Sequence, residues 1–161
     1  MSILLLGKST CPICGLTIKE GDQYYSFPAF VINTKHELFF FNDDNFHLDC
    51  LNSHKHGQTA KEYATLFVER TRPGNRICLI TGEKITNPND HIFIDYLTSN
   101  KEDYLHRFNF VHLCKSNLAN WELRKPLVEE LVRLKKSGKW QELAGQDYLE
   151  NLIKQLGNGP E

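Results

Sequence analysis

Apolar and polar residues alternate along this chain in three differently patterned blocks. The first, residues 1–72, opens on Ile3-Leu4-Leu5-Leu6, a run that predicts a short buried strand. Tyr24 to Ile32 and Glu37 to Phe41, rich in aromatic and β-branched residues, predict two more strands. Asn33-Thr34-Lys35-His36 would join them as a hairpin loop, and Asn42-Asp43-Asp44-Asn45 breaks the pattern. Thr59 reads as the N-cap of a helix carrying Ala60, Tyr63, Ala64, Phe67 and Val68 on one face. Arg72-Pro73-Gly74-Asn75 closes the block with strong breakers.

The second block, residues 73–121, repeats the first in weakened form. Ile77-Cys78-Leu79-Ile80-Thr81-Gly82 stands where Thr10-Cys11-Pro12-Ile13-Cys14-Gly15 stood, and Ile85 follows its glycine as Ile18 does. His91 to Tyr96 and Arg107 to Val111 predict two strands. His112-Leu113-Cys114 parallels His47-Leu48-Asp49-Cys50, setting His112 opposite His47. These matches are read as an internal duplication. The third block, residues 122–161, is helical. Pro126 suits a first turn, and Leu127, Val128, Leu131 and Leu134 line one face as far as Gly138. Tyr148, Leu149, Leu152, Ile153 and Leu156 form a second stripe, closed by Gly157.

Composition narrows the function. A chain of 161 residues holds one ordinary domain or two small ones. Its 40% hydrophobic and 24% charged content excludes a disordered or fibrous protein. Lys and Arg number 19 against 20 Asp and Glu, a net charge of −1, so no overall basic field recruits polyanions. No stretch approaches the roughly 20 apolar residues of a membrane span, and the first residues lack the layout of a secretory signal. The expected setting is soluble, reducing and cytoplasmic, which suits thiolates kept for metal.

The five cysteines carry the chemistry. Cys11-x-x-Cys14 and His47-x-x-Cys50 make two closely spaced donor pairs, the arrangement from which folding builds a tetrahedral zinc site. Gly15 allows the positive φ that closes a tight knuckle around the first pair. The second pair should open a short helix, where residues three apart share a face. The expected cofactor is one structural Zn2+ on Cys11, Cys14, His47 and Cys50. In the second block Thr81 replaces Cys14 and Lys115 lies three beyond His112, so Cys78 and Cys114 read as buried small residues of a metal-free copy. A rival reading gathers Cys78, His112 and Cys114 with His91 or His106. His36, His54 and His56 read as loop residues, and Tyr24, Tyr25, Phe27, Phe30, Phe39, Phe40 and Phe41 as the core of the hairpin.

Cys11-Pro12-Ile13-Cys14-Gly15, a hairpin, and His47-Leu48-Asp49-Cys50 resemble treble-clef and LIM-like zinc knuckles, with a longer hairpin insert than LIM modules have. The resemblance implies an α+β fold of two consecutive treble-clef-like ββα units, the first zinc-bound and the second degenerate, plus C-terminal helices. It further implies zinc as a structural staple in a module that binds protein or nucleic acid, and the expected function is non-catalytic binding of a protein partner. The chain also resembles small bacterial or phage accessory proteins with a zinc knuckle, including toxin-neutralising ones. The alternatives are a nucleic-acid-binding zinc finger and an HNH-type nuclease. The first would use Lys115, Arg124, Lys125, Arg133, Lys135, Lys136 and Lys139, among which Glu122, Glu129 and Glu130 are interspersed. The second would need His47, Asn52 and His56 around a catalytic metal, while His47 is already a zinc ligand here. A shell filled by four protein donors leaves no position for an activated water, so no catalytic residue is assigned.

Overall fold

A computed structural model describes residues 3–157. The fold is mixed α and β, with two separate two-stranded antiparallel sheets and four α-helices among the described residues. The chain divides into two compact units, residues 1–31 with 36–68, and residues 32–35 with 69–161.

In the first unit β1 (Tyr24–Ser26) pairs with β2 (Asn45–His47), Tyr25 facing Phe46. The strands expected over Tyr24–Ile32 and Glu37–Phe41 are not formed as such. The first ends at Ser26, because Pro28 has no N–H for a ladder and the Phe30 and Val31 N–H groups go to the Asn42 side chain. Glu37–Phe41 is a 3-10 helix, started where the His36 ring accepts from Leu38 N–H at 3.1 Å. Ile3-Leu4-Leu5-Leu6 is not a buried strand either. The Leu5 carbonyl accepts from Lys8 and Ser9, which folds the run into a turn, and Ile3 stays 81% exposed.

Helix α1 (Leu48–Ser53) follows β2 at once, and α2 (Gly57–Thr71) begins two residues before the expected cap at Thr59. A Cβ on Gly57 would lie 1.9 Å from the Leu51 carbonyl oxygen, so only glycine allows the two helices to meet this closely. Ala60, Tyr63 and Ala64 are buried as the periodicity requires, but Val68 is exposed. The core is aromatic: Phe27, Phe41 and Phe46 pack with ring centroids 5.3–5.5 Å apart, beside Leu38 and Leu51.

In the second unit β3 (His91–Ile94) pairs with β4 (Val111–Cys114). The strand expected at Arg107–Val111 is displaced, since Tyr104–Phe108 is a 3-10 helix capped by the Asp103 carboxylate. Ile92, Ile94, Leu113 and Leu118 share one core with α3 (Arg124–Lys136) and α4 (Tyr148–Gly157), through Leu127, Leu131, Leu149 and Leu152. Both ends of α4 are satisfied by side chains. Glu142 accepts from the Tyr148 and Leu149 N–H groups, and the Arg124 guanidinium donates to the Leu156 and Gly157 carbonyls. Asn33 and Thr34, expected in a hairpin loop, instead bond the chain after α3 at Lys139 and Gln141.

The two units repeat one plan at a constant separation of 67 residues. Cys11 and Cys78, Gly15 and Gly82, Ile18 and Ile85, Phe27 and Ile94, Leu38 and Leu105, Phe46 and Leu113 are such pairs. Every non-glycine member of these pairs is buried. Gly15 and Gly82 adopt φ of +72° and +73°, and each donates its N–H to the carbonyl of its cysteine at 2.8 Å. Asn42 accepts from Phe30 and Val31 N–H and donates to the Val31 carbonyl, while Asn109 does the same with Leu97 and Thr98. Asp43 and Phe110, which follow these asparagines, both have positive φ. The β-register agrees, Tyr24 facing His47 as His91 faces Cys114. Setting His112 opposite His47 was therefore two residues out of register. Cys114 is the counterpart of His47, and Asn117 that of Cys50.

One buried charge predicts a pH effect. Burial pushes the Asp95 carboxyl up to about 6 from an ordinary 3.8, opposed only in part by the Tyr96 N–H. The folded state thus holds this proton more tightly than the unfolded chain. The resulting stability is complete below pH 4 and is lost as pH rises through about 6. Asp95→Asn should raise the unfolding free energy at pH 7.5 by about 2 kcal/mol relative to wild type and leave it unchanged at pH 3.5. Urea titrations at both pH values check this, and equal effects at the two would refute it.

Candidate metal centre

Four donors from two local segments converge in the first unit. The knuckle closes when Cys11 N–H donates to the Leu16 carbonyl at 2.9 Å and Gly15 turns the chain back. This places Cys11 in the interior and Cys14 at the surface. His47 ends β2 and Cys50 lies in the first turn of α1, so the strand-to-helix junction supplies the second pair. The ligand atoms of Cys11, Cys14, His47 and Cys50 all lie within 4.8 Å of one another, a group that could hold one metal ion.

The surroundings fit a cation. His47 Nδ1 lies 3.3 Å from Cys14 Sγ, while Nε2 on the far side of the ring lies 3.4 Å from Asp22 Oδ2. Asp22 is itself held by the Lys19 N–H at 2.7 Å, which also keeps its carboxyl below the usual range. A carboxylate behind the imidazole fixes the ring and the tautomer that presents Nδ1 to a metal. Asp22 was not singled out by the sequence reading. Its signal was the Glu20-Gly21-Asp22 turn, which puts a short carboxylate one turn ahead of β1.

The thiols respond unequally to their crowding. The Leu16 N–H, with His47 and the other two sulfurs, brings the Cys14 thiol down to about 7. Burial, and then the neighbouring Cys14 and Cys11, push the Cys50 thiol up to about 11. His47 is raised, chiefly by Cys14. A thiolate is favoured at Cys14 and opposed at Cys50, an accumulation of negative charge that a divalent cation offsets.

Among the described residues no second group of three or more His, Cys, Asp or Glu donors converges, so the rival set of Cys78, His112, Cys114 and His91 or His106 is not assembled. His112 is buried and donates through Nε2 to the Arg70 carbonyl at 2.8 Å, which leaves Nδ1 to accept from His91 Nε2, also at 2.8 Å. His54 stacks on Phe40, His56 lies 3.4 Å from Glu37, and Asn52 accepts from Lys61. The aromatic residues assigned to the hairpin core divide. Phe27, Phe30 and Phe41 are buried, whereas Tyr24 and Phe40 are exposed by 44% and 46%.

Much of the basic patch has partners within the second unit. Arg124 caps α4, Lys115 donates to the Asn89 carbonyl, Arg133 pairs with Glu130, and Lys135 pairs with Glu150. No helix among the described residues is long and apolar enough to cross a membrane. The chain matches no protein-family model, no curated protein and no solved structure.

Proposed function

We propose that Cys11, Cys14, His47 and Cys50 bind one structural zinc ion within a treble-clef-like unit, and that the protein is a non-catalytic cytoplasmic module that binds another protein. The donor set carries the reading. Three sulfurs and one imidazole nitrogen within 4.8 Å suit a small tetrahedral ion of borderline softness and fill its shell. Bound there, zinc would tie the knuckle to the start of α1 and act as a staple for a small aromatic core. Catalytic zinc sites keep a position open for water, and this donor set supplies all four.

The engagement of Lys115, Arg124, Arg133 and Lys135 inside the second unit favours a protein partner over nucleic acid. Exposed apolar residues such as Leu16 and Phe40 offer contact area on the first unit. A toxin-neutralising role in a bacterial or phage setting is the form of this reading that the knuckle's resemblance suggests.

Elemental analysis combined with a nuclease assay tests the proposal. The expected result is one zinc per folded chain and no cleavage of DNA or RNA with added magnesium or manganese. Cleavage abolished by His54→Ala or His56→Ala would replace this reading with the nuclease one. Salt-sensitive retention on duplex DNA, lost in Lys125→Ala/Lys136→Ala, would replace it with the nucleic-acid one.

A further inference from the structure

The second unit keeps two sulfurs where the first gathers four donors. We propose that Cys78 and Cys114 form a two-coordinate site for one soft monovalent cation of the copper(I) class, separate from the Cys11–Cys50 cluster. The two residues are the counterparts of Cys11 and His47, held by the same knuckle, the same positive-φ glycine and the same strand register.

The two residues meet at the Cys78 sulfur. Cys114 donates its backbone N–H to Cys78 Sγ at 3.2 Å, and both side chains lie in one small buried cluster. The N–H groups of Thr81 and Ile80 also point at Cys78. Burial opposes a thiolate at Cys78 and the converging donors favour it, while burial and then Cys78 push the Cys114 thiol up, so a bound cation would offset the second charge. The other two positions of the plan hold Thr81 and Asn117. The Thr81 hydroxyl accepts from Glu83 N–H, and the Asn117 side chain bonds the Cys114 sulfur. Oxygen donors suit harder ions, so this half of the plan no longer builds a zinc tetrahedron. A closed-shell monovalent ion held by two opposed thiolates needs neither of them. His91 and His112 are engaged with each other and with the Arg70 carbonyl, which keeps imidazole nitrogen away from the pair.

Burial favours the same class of ion. Cys78 is 0% exposed and Cys114 is 9% exposed, packed with Ile80 and Ile85. A site of this kind excludes water, which strongly hydrated cations give up reluctantly. Binding forms two metal–sulfur bonds and releases the remaining thiol protons to solvent, and the metal does not change oxidation state.

The test presents copper(I) anaerobically, from a competing chelator, to the full chain with zinc bound in the first unit. The expected result is uptake of about one copper(I) per chain with zinc retained, and at least roughly hundredfold weaker uptake in Cys78→Ser and Cys114→Ser. Zinc release matching copper uptake would overturn the proposal, as would undiminished uptake in a folded Cys78→Ser chain. X-ray absorption at the copper edge of the wild-type protein decides the matter even where a variant fails to fold. Two sulfur neighbours support the site, and a third sulfur or a nitrogen neighbour refutes it.

Discussion

Cys14→Ser should abolish cooperative folding of the first unit, and a chelator should do the same to the wild type. Structural zinc sites contribute about 10 kcal/mol or more of folding free energy, comparable with the whole stability of an ordinary domain. The first unit has little else to resist the loss. Its sheet is three residues per strand, and its core depends on Phe46 and Leu51, which flank His47 and Cys50 in the chain. The loss should appear as collapse of the near-ultraviolet aromatic signal together with metal release. Cys78→Ser, the equivalent change in the second unit, should cost only about 1–2 kcal/mol, since it buries a small polar group in the minor cluster of Ile80, Ile85 and Cys114 and leaves the main core under α3 and α4 intact. Equal damage from the two substitutions would contradict a structural zinc held by the first unit alone.

Asn109→Ala should destabilise the second unit by about 3 kcal/mol. Its side chain accepts from Leu97 N–H at 2.8 Å and Thr98 N–H at 3.3 Å, and donates to the Thr98 carbonyl at 2.7 Å. Only 8% of the residue is exposed, so truncation strands backbone groups away from water, at about 1–3 kcal/mol for a buried group left unpaired. The same clamp sits next to Phe110, a buried aromatic residue held at φ +55°, a conformation bulky residues rarely adopt. Denaturant midpoints of Asn109→Ala and wild type measure the effect. A loss below about 1 kcal/mol would show that the clamp is incidental. Asn42→Ala should lower the stability of the metal-bound first unit in the same direction, because Asn42 closes the matching loop.

The 67-residue repeat is partly legible in the sequence. Cys11 with Cys78, Gly15 with Gly82 and Ile18 with Ile85 already share the spacing, and Leu38 with Leu105 and Phe41 with Phe108 continue it. The His112-Leu113-Cys114 match drew the second half two residues out of register, because a short motif outweighed the periodicity of buried positions. In the structure His112 serves the Arg70 carbonyl and His91, and Cys114 takes the place of His47.

The strands were misread for a different reason. Phe39, Phe40 and Phe41 have strand-forming side chains, yet Asn42 and the His36 cap turn their backbone into a 3-10 helix. Aromatic content does not distinguish a buried turn from a strand, since both bury the same side chains. Pairing is chosen by which backbone groups remain available, and those of Phe30 and Val31 were claimed by a side chain eleven or twelve residues away.

What the sequence by itself determined is the local chemistry: the Cys11-x-x-Cys14 knuckle, the His47-x-x-Cys50 pair entering a helix, and the amphipathic stripes of α3 and α4. Each depends on spacings of three or four residues, which backbone geometry converts directly into a shared face or a closed turn. Tertiary structure alone decided the convergence of the two ligand pairs, the support of His47 by Asp22, the pairing of Arg124 with the end of α4, and the meeting of the Cys114 N–H with the Cys78 sulfur. These depend on contacts between residues tens of positions apart. Such contacts form only when burial of the two cores offsets the entropy of closing the intervening chain, and no local spacing encodes that balance.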